Sequence, residues 1–288
     1  MKDKSKFILI IAILAIAAII AWIFYGIING GKNPIATMEV SYVDNDGNTQ
    51  TGIVKIELDP SVAPESVANF VNLANNGFYD NLTFHRIVSD FMIQGGSSDG
   101  TGSGSAKLSD LDKKIQANSS SDYTYSIKGE FANNNINNNL KFEKGVIGMA
   151  RSDYSSYGLT EEGYNSGSSQ FFIVTTDKKE TLDSLNYNYA SFGKVIEGYE
   201  VVEAISNVKV TTEEGSSETS KPENAPVITS IRVDTFGANY KIPETINYDT
   251  VLQTVQQYQN YYQQLFNNSN SSTSAETTET SNDEQATE

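Results

Sequence analysis

The sequence contains no cysteine and only one histidine, His85. The lack of cysteine excludes disulfide bonds, a thiol nucleophile and thiolate zinc sites. A single imidazole excludes a histidine-based metal triad. Basic residues are also few, since 20 Lys and Arg face 36 Asp and Glu, a formal net charge of −16. Nucleic-acid binding needs a basic surface, so we expect no nucleic-acid partner, and no spacing of side chains predicts a metal or a cofactor.

One long apolar run is present at residues 7–28, and it carries no charge. As a helix it would span ~33 Å, close to the ~30 Å hydrocarbon core of a bilayer. A cleaved signal peptide and a buried core helix are the alternatives. The run is longer than the ~7–15 apolar residues of a signal peptide and no A-x-A-like site follows it. Its uniform hydrophobicity is unusual for a core helix. We therefore predict a transmembrane helix.

The charges that flank this run predict its orientation. Lys2, Lys4 and Lys6 precede it, whereas only Lys32 follows closely. The positive-inside rule places the N-terminus in the cytoplasm. We expect a single-pass protein of the plasma membrane whose remaining chain is extracytoplasmic.

The chain beyond the linker reads as many short strands with few helices, a pattern typical of a closed β-barrel. Helices are predicted from Pro64 to Gly77 and over Tyr199–Ile205. If Phe91–Gln94 is a regular strand, alternation places Phe91 and Ile93 on one face. Strand-like runs occupy residues 38–43, 52–58, 82–87, 91–94, 146–149, 170–175, 191–196 and 226–233.

Polar stretches at residues 103–125 and 133–139 are expected on the surface. Residues 248–266 show helical apolar spacing, and the default interpretation is a helix that packs back on the domain. We divide the chain into a cytoplasmic stub and anchor, a linker, a main domain, a helical C-terminal extension and a disordered acidic tail. The respective bounds are 1–30, 31–37, 38–236, 237–266 and 267–288.

Two motif matches carry no chemistry. Residues 96–100 fit the letters of the G-x-S-x-G nucleophile motif, but the Gly- and Ser-rich continuation will not start the helix that this motif needs. Residues 44–48 resemble part of a calcium loop. They lack its glycine and glutamate positions, and a hairpin turn is the better interpretation.

Three longer motifs follow one another in order. F-H-R-I-x-x-x-F-M-x-Q-G-G occupies residues 84–96, S-Q-F-F-I residues 169–173 and F-G-K-V residues 192–195. On these motifs the chain from Met38 to about Val233 resembles the cyclophilins, the cyclosporin-type peptidyl-prolyl isomerases. The resemblance implies a mainly β fold, a closed eight-stranded antiparallel barrel capped by two α-helices.

The implied reaction suits the residue inventory. Rotation about an X-Pro bond breaks no bond, but its barrier is ~18–20 kcal/mol. A donor aimed at the prolyl nitrogen of the twisted amide would stabilise the transition state. By resemblance, Arg86 is that donor, and Gln94 holds Arg86 or the substrate carbonyl. The resemblance also assigns a proline pocket of Phe91, Met92, Phe172 and Leu182, substrate-facing backbone at Ala150, Arg151 and Ser152, and a groove bordered by Gly102 and Gln170.

His85 is expected to be structural or to line the pocket, because isomerisation needs no base. The chain departs from many cyclophilins at Thr181, where a Trp is associated with tight cyclosporin binding, so we predict weak binding of cyclosporin. Tyr189 replaces a family His, and a tyrosine can still pack and donate there. The loops at residues 105–126 and 153–165 are longer than expected and border the groove in this interpretation.

The sequence thus predicts a membrane-anchored isomerase that needs no cofactor. Its substrates would be proline-containing unfolded or exported polypeptides at the outer face of the membrane. Two alternatives stay open: a non-catalytic module that binds proline-containing segments, and a scaffold whose C-terminal segment recruits a partner.

Overall fold

The computed structural model of the chain describes Ile11, residues 14–16 and residues 31–279. Apart from Ile11 and residues 14–16, the predicted membrane segment lies outside the described residues. Among the described residues, no helix has both the length and the apolar character needed to cross a bilayer.

Twelve strands are present in the described part of the chain, and eight of them form a closed barrel. Around the barrel the order is β1-β11-β3-β4-β7-β6-β8-β2, and every neighbouring pair is antiparallel. This confirms the predicted barrel. The strands are β1 (Ile35–Val43), β2 (Thr49–Leu58), β3 (Leu82–Val88), β4 (Met92–Gly95), β5 (Tyr125–Ile127), β6 (Val146–Met149), β7 (Phe171–Val174), β8 (Ser191–Glu197), β9 (Val210–Thr212), β10 (Thr219–Pro222), β11 (Val227–Asp234) and β12 (Thr245–Asn247).

Two helices bury their apolar faces in the main core, as expected for the two caps. Phe70 of the first lies with its ring centroid 5.6 Å from that of Phe171 and 5.4 Å from that of Phe192. Val202 and Ile205 of the second are fully buried. Within residues 31–279 the α-helices are α1 (Pro64–Asn75), α2 (Leu108–Leu111), α3 (Thr160–Tyr164), α4 (Lys179–Asn188), α5 (Tyr199–Ser206) and α6 (Tyr248–Glu279).

The start of α1 is capped by a residue far along the chain. The Glu130 carboxylate accepts hydrogen bonds from the backbone N–H of Glu65, at 3.0 Å, and of Ser66, at 2.8 Å. The Ser66 hydroxyl donates to the same carboxylate at 2.7 Å. Free N–H groups at a helix start need acceptors, and a negative charge there is favourable. Glu130 therefore ties the loop before β6 to the helix that fills the barrel core.

Four strands lie outside the barrel. β9 and β10 form a hairpin, and β12 pairs with β5. The second pair joins the C-terminal extension to the long loop before β5. From there α6 packs back on the domain through Tyr248 and Val255, which are both buried.

Three details differ from the sequence-based expectations. The stretch at residues 103–125 is not purely a surface loop, since Ala106, Leu111 and Tyr125 are buried in the main core. Phe91 precedes β4, after a turn at Asp90 with φ of 53°, and it packs with Met92 instead of sharing a face with Ile93. The strand alternation had assumed a regular strand from Phe91 onward.

The third difference concerns the predicted disordered tail. Helix α6 continues to Glu279, whereas the apolar spacing predicted its end near Phe266. No proline or glycine lies between Tyr248 and Glu279, so no residue in this stretch breaks the backbone hydrogen-bond pattern. Residues 280–288 of the predicted tail lie outside the described residues.

Candidate active site

Arg86 and Gln94 face each other on neighbouring strands of the barrel. They are paired residues of β3 and β4, and the Arg86 Nη1 donates to Gln94 Oε1 at 3.1 Å. Gln94 Nε2 in turn donates to Gln170 Oε1 at 3.0 Å. Cross-strand partners present their side chains on one face of a sheet. The fold therefore produces a continuous polar row of one guanidinium and two amides.

The far end of this row is fixed to backbone. Gln170 Nε2 donates to the carbonyl oxygens of Gly102, at 2.8 Å, and Gly104, at 3.0 Å. The residue before Gln170 is held by two more bonds: the Tyr79 hydroxyl donates to Ser169 O at 3.0 Å, and Ser169 Oγ donates to Gly96 O at 2.8 Å. The row is thus pre-organised by the surrounding structure.

A glycine is required where this packing is closest. Gly96 has φ of +86°, and a Cβ there would lie 2.5 Å from the Ser169 carbonyl oxygen. Any other residue would displace the segment that carries Ser169 and Gln170.

Glu218 meets Arg86 on its other side. Arg86 Nε donates to Glu218 Oε1 at 2.7 Å and Arg86 Nη2 donates to Oε2 at 2.6 Å. This is a two-point guanidinium–carboxylate pair. The Arg86 guanidinium holds the pKa of Glu218 below its usual value through this hydrogen bonding. Glu218 is therefore ionised at neutral pH.

A second apolar cluster lies beside the polar row, separate from the main core. Phe172 is its centre: the Phe142 ring stacks on it at 5.6 Å and the Tyr189 ring meets it edge-on at 5.4 Å. Met92 is buried in the same cluster, and Phe91, Leu182 and Ala150 pack against it half-buried. The residues predicted to hold a proline ring are therefore brought together.

A cavity of about 530 Å³ adjoins this cluster. Its size is within the range of sites for small ligands or for a short stretch of peptide. It contains six of the thirteen site residues predicted from the sequence, namely Gln94, Gly102, Ala150, Arg151, Ser152 and Gln170.

The C-terminal helix closes one side of the cavity, which the sequence did not predict. Tyr248 and Leu252 line it from α6, and Tyr154 lines it beside Tyr248. The Tyr248 hydroxyl is hydrogen-bonded to the Tyr154 hydroxyl and lies 3.4 Å from Ser152 Oγ. The helical spacing at residues 248–266 could indicate a packed face, but not the surface that it contacts.

The Arg151 side chain stabilises the wall of the cavity. Its guanidinium lies over the rings of Phe131, Tyr164 and Tyr189, 5.0 to 5.5 Å from their centroids. It donates to the carbonyl oxygens of Asn188, at 2.8 Å, and of Ser152, at 2.9 Å. This side chain thus holds the surrounding rings and carbonyl groups in place.

His85 lies against the loop at Gly102. A Cβ on Gly102 would be 3.2 Å from His85 Nε2, and neither ring nitrogen has a hydrogen-bond partner among the described residues. Burial, and next the nearby Arg86 charge, lower the pKa of His85 below its usual value. The imidazole is therefore neutral at neutral pH, and it lies against the Gly102 loop without being among the residues that line the cavity.

Comparison with known proteins decides the family. The model of the cyclophilin-type peptidyl-prolyl cis-trans isomerases matches residues 43–233, more than half of the chain. The chain belongs to the cyclophilin family. It is 37% identical over 168 residues to peptidyl-prolyl cis-trans isomerase B of Bacillus subtilis, covering 58% of this chain and 90% of that protein.

A further relative agrees with this assignment. A putative peptidyl-prolyl cis-trans isomerase of Staphylococcus aureus is 30% identical over 211 residues, covering 65% of this chain and 89% of that protein. A solved cyclophilin of Cryptosporidium parvum, crystallised in the presence of the dipeptide Ala-Pro, is 27% identical. Its TM-score is 0.47, over 70% of this chain and 99% of that one. The cyclophilin described here is a peptidyl-prolyl cis-trans isomerase.

Sequence reasoning missed three residues around the cyclophilin site. Glu218 lies in a Ser-, Thr- and Glu-rich segment that has no motif. Tyr154 and Tyr248 belong to a long loop and to the C-terminal extension, outside the motifs that identify the family. The loop at residues 153–165, which includes Tyr154, is expected from the sequence to border the groove, but no signal in the sequence relates Glu218 to Arg86 or Tyr248 to the cavity.

Proposed function

We propose that this isomerase is anchored in the plasma membrane and acts on exported polypeptides at the outer face. The support is in the sequence: an uncharged apolar run at residues 7–28 and the excess of lysine before it. Uncatalysed X-Pro exchange takes tens of seconds. An anchored isomerase would shorten that delay where unfolded chains emerge from the membrane.

The proposed catalytic group is Arg86. As the amide twists, resonance is lost and the prolyl nitrogen becomes a hydrogen-bond acceptor. A fixed guanidinium donor interacts with that nitrogen only in the twisted state, so it lowers the barrier without tightening ground-state binding. The observation that carries this proposal is the hydrogen-bonded row from Arg86 through Gln94 to Gln170, which holds the guanidinium beside the apolar cluster around Phe172.

The proposed substrate-binding surface has two parts. The cluster formed by Phe91, Met92, Phe172, Leu182 and Tyr189 would hold the proline ring by apolar contact. The adjoining cavity would hold neighbouring residues of the peptide, and Gln94, Ser152 and Gln170 are among the polar residues that line it. An extended substrate would thus be bound on both sides of the twisting bond.

Catalysis is tested by exchange spectroscopy on X-Pro peptides, with the full chain in detergent and no coupling protease. We expect acceleration that saturates with peptide. A folded chain that binds the peptides without accelerating exchange would favour the non-catalytic binding module. Deletion of residues 248–288 tests the scaffold alternative, because a scaffold would lose its partner when this segment is removed.

The absence of cysteine makes the proposed location directly testable. We would introduce single cysteines, Thr51→Cys at an exposed position on β2 and Ser5→Cys before the apolar run, and add a membrane-impermeant maleimide to intact cells. Labelling of Thr51→Cys alone, with Ser5→Cys labelled only after lysis, is the expected result. Labelling of Ser5→Cys alone, or of neither before lysis, would contradict the proposed orientation.

We also propose that cyclosporin binds weakly, because Thr181 occupies the position where many cyclophilins have tryptophan. Titration of the inhibitor against the isomerisation rate checks this, with Thr181→Trp as the paired variant. Tight, sub-micromolar inhibition of the unmodified chain would contradict the proposal.

A further inference from the structure

We propose that Glu218 is a specificity-determining residue of the isomerase, and that it makes the site prefer substrates with a lysine or arginine near the proline over substrates with an acidic residue there. The inference rests on the proposed function, because it places Glu218 beside the group expected to act on the prolyl amide.

Glu218 and Arg86 are paired through one edge of the guanidinium. Glu218 takes the Nε and Nη2 donors of Arg86, at 2.7 and 2.6 Å. That edge of a guanidinium is one of those that bind a carboxylate at two points. An acidic substrate side chain therefore finds this edge already occupied by a carboxylate of the protein.

The contacts of Arg86 place Glu218 relative to the cavity. Arg86 donates through Nη1 to Gln94 on one side and through Nε and Nη2 to Glu218 on the other. The cavity is lined by Gln94 and Gln170, so Glu218 lies across Arg86 from it. The side chains of both paired residues are partly exposed, 34% for Arg86 and 41% for Glu218. A peptide that occupies the cavity and the apolar cluster would thus extend past Arg86. The end of the peptide farthest from the cavity would then pass the Glu218 carboxylate.

Glu218 is held in place by the hairpin that carries it. It precedes β10 in the β9–β10 hairpin, and its backbone N–H donates to Ser216 Oγ at 3.0 Å. The base of the hairpin is anchored by Pro222, which is buried, and by Val210, which packs on the main core. A fixed hairpin presents a fixed charge.

The neighbouring acidic residues, Glu213 and Glu214, do not share this role. Glu213 forms an ion pair with Lys221 of the same hairpin at 2.8 Å, instead of with Arg86. Glu214 is exposed at the turn. Among the described residues, Glu218 is the carboxylate that pairs with Arg86. A basic substrate side chain can pair with Glu218 and leave Arg86 to the amide, whereas an acidic one is repelled.

The test compares two peptide series on the full chain in detergent, at low ionic strength. One series carries Lys, Gln or Glu two residues before the proline, and the other carries the same residues two positions after it. The readout is the ratio of kcat/KM between the Lys and Glu peptides. We expect the ratio of kcat/KM to be about 3 to 10 in one of the two series. An effect of this size is typical of unit charges a few ångströms apart at an exposed edge.

Four variants decide the origin of the preference. Glu218→Gln and Glu218→Ala should bring the ratio close to 1, and Glu218→Asp should retain most of it. Glu214→Gln removes the same charge from the same hairpin without touching Arg86, so it should keep the ratio. An unchanged ratio in both neutral Glu218 variants, or an equal loss in Glu214→Gln, would overturn the proposal.

The result can be separated from the role of Arg86 itself. If Arg86→Ala is as fast as the unmodified chain, the proposed catalytic role of Arg86 fails, whatever the charge preference. If Arg86→Ala is slow while the Glu218 variants leave the ratio unchanged, only the specificity role of Glu218 fails.

Discussion

Gln94 links Arg86 to Gln170: it accepts from the Arg86 guanidinium at 3.1 Å and donates to the Gln170 side chain at 3.0 Å. One amide thus uses both of its ends, which fixes its orientation as well as the position of Arg86. The donor expected to act in the transition state is held from one side by Gln94 and from the other by Glu218.

Replacement of Gln94 by leucine should slow isomerisation. A leucine of similar size neither accepts from Arg86 nor donates to Gln170, so the guanidinium loses one of its two supports. We expect kcat/KM to fall about tenfold, which corresponds to about 1.4 kcal/mol of lost stabilisation. The control is Gln50→Ala, which removes a surface hydrogen bond to Asp44. Equal rates for Gln94→Leu and the unmodified chain would show that Gln94 does not support Arg86.

The rate should be nearly independent of pH between about 7 and 8. Burial lowers the pKa of His85 below its usual value, so the imidazole is already neutral throughout this range. The Glu218 carboxylate is ionised throughout the range as well, because its pKa is lowered. A pH-rate profile of the full chain checks this. A titration near pH 6.5 that disappears in His85→Gln would contradict the assignment of His85 as a neutral residue with a lowered pKa.

Loss of the Tyr248 side chain should affect long substrates selectively. Tyr248 forms part of the wall of the cavity beside Ser152 and Tyr154, away from the residues around the twisting bond. For Tyr248→Ala we expect KM for peptides of eight or more residues to rise about threefold, as when one partner of a modest contact is lost. Short peptides should be unaffected.

Tyr258→Ala is the matched control for this experiment, because Tyr258 is on the same helix and 42% exposed. Equal effects of the two variants, or an equal effect of Tyr248→Ala on short and long peptides, would show that the helix does not shape the binding surface.

Removal of the Glu130 carboxylate should destabilise the domain. Glu130 is 4% exposed, and Glu130→Ala would leave the donors of Glu65 and Ser66 at the start of α1 without this acceptor. Each unsatisfied buried donor costs about 1–3 kcal/mol, so the melting temperature should fall by several degrees. Glu143→Ala, which removes an exposed partner of Lys194, should change the melting temperature by less than one degree. A similar small change for Glu130→Ala would contradict the capping role.

The barrel could be predicted because its information is local. Strand-like runs in the sequence predicted segments that match the eight barrel strands, and the resemblance to the cyclophilins supplied the closed eight-stranded architecture. The predicted site residues gather because the register of β3, β4 and β7 aligns Arg86, Gln94 and Phe172 across three neighbouring strands.

The residues that could not be predicted are brought in by segments distant in sequence. Glu218 reaches Arg86 across 132 positions of the chain, and Tyr248 reaches Tyr154 across 94. Neither contact repeats along the chain or leaves a periodic pattern. They depend on how a polar hairpin and a terminal helix pack on a finished barrel, which is a property of the tertiary structure.

The central claim, that Arg86 stabilises the twisted amide, is tested most directly by exchange spectroscopy on one X-Pro peptide. The unmodified chain is compared with Arg86→Ala and Arg86→Lys at matched concentration, with folding of each checked by thermal melting. Loss of a donor aimed at the transition state predicts a fall of about 10²- to 10³-fold in kcat for Arg86→Ala with little change in peptide affinity, and partial recovery in Arg86→Lys. A folded Arg86→Ala variant within twofold of the unmodified rate would contradict the account.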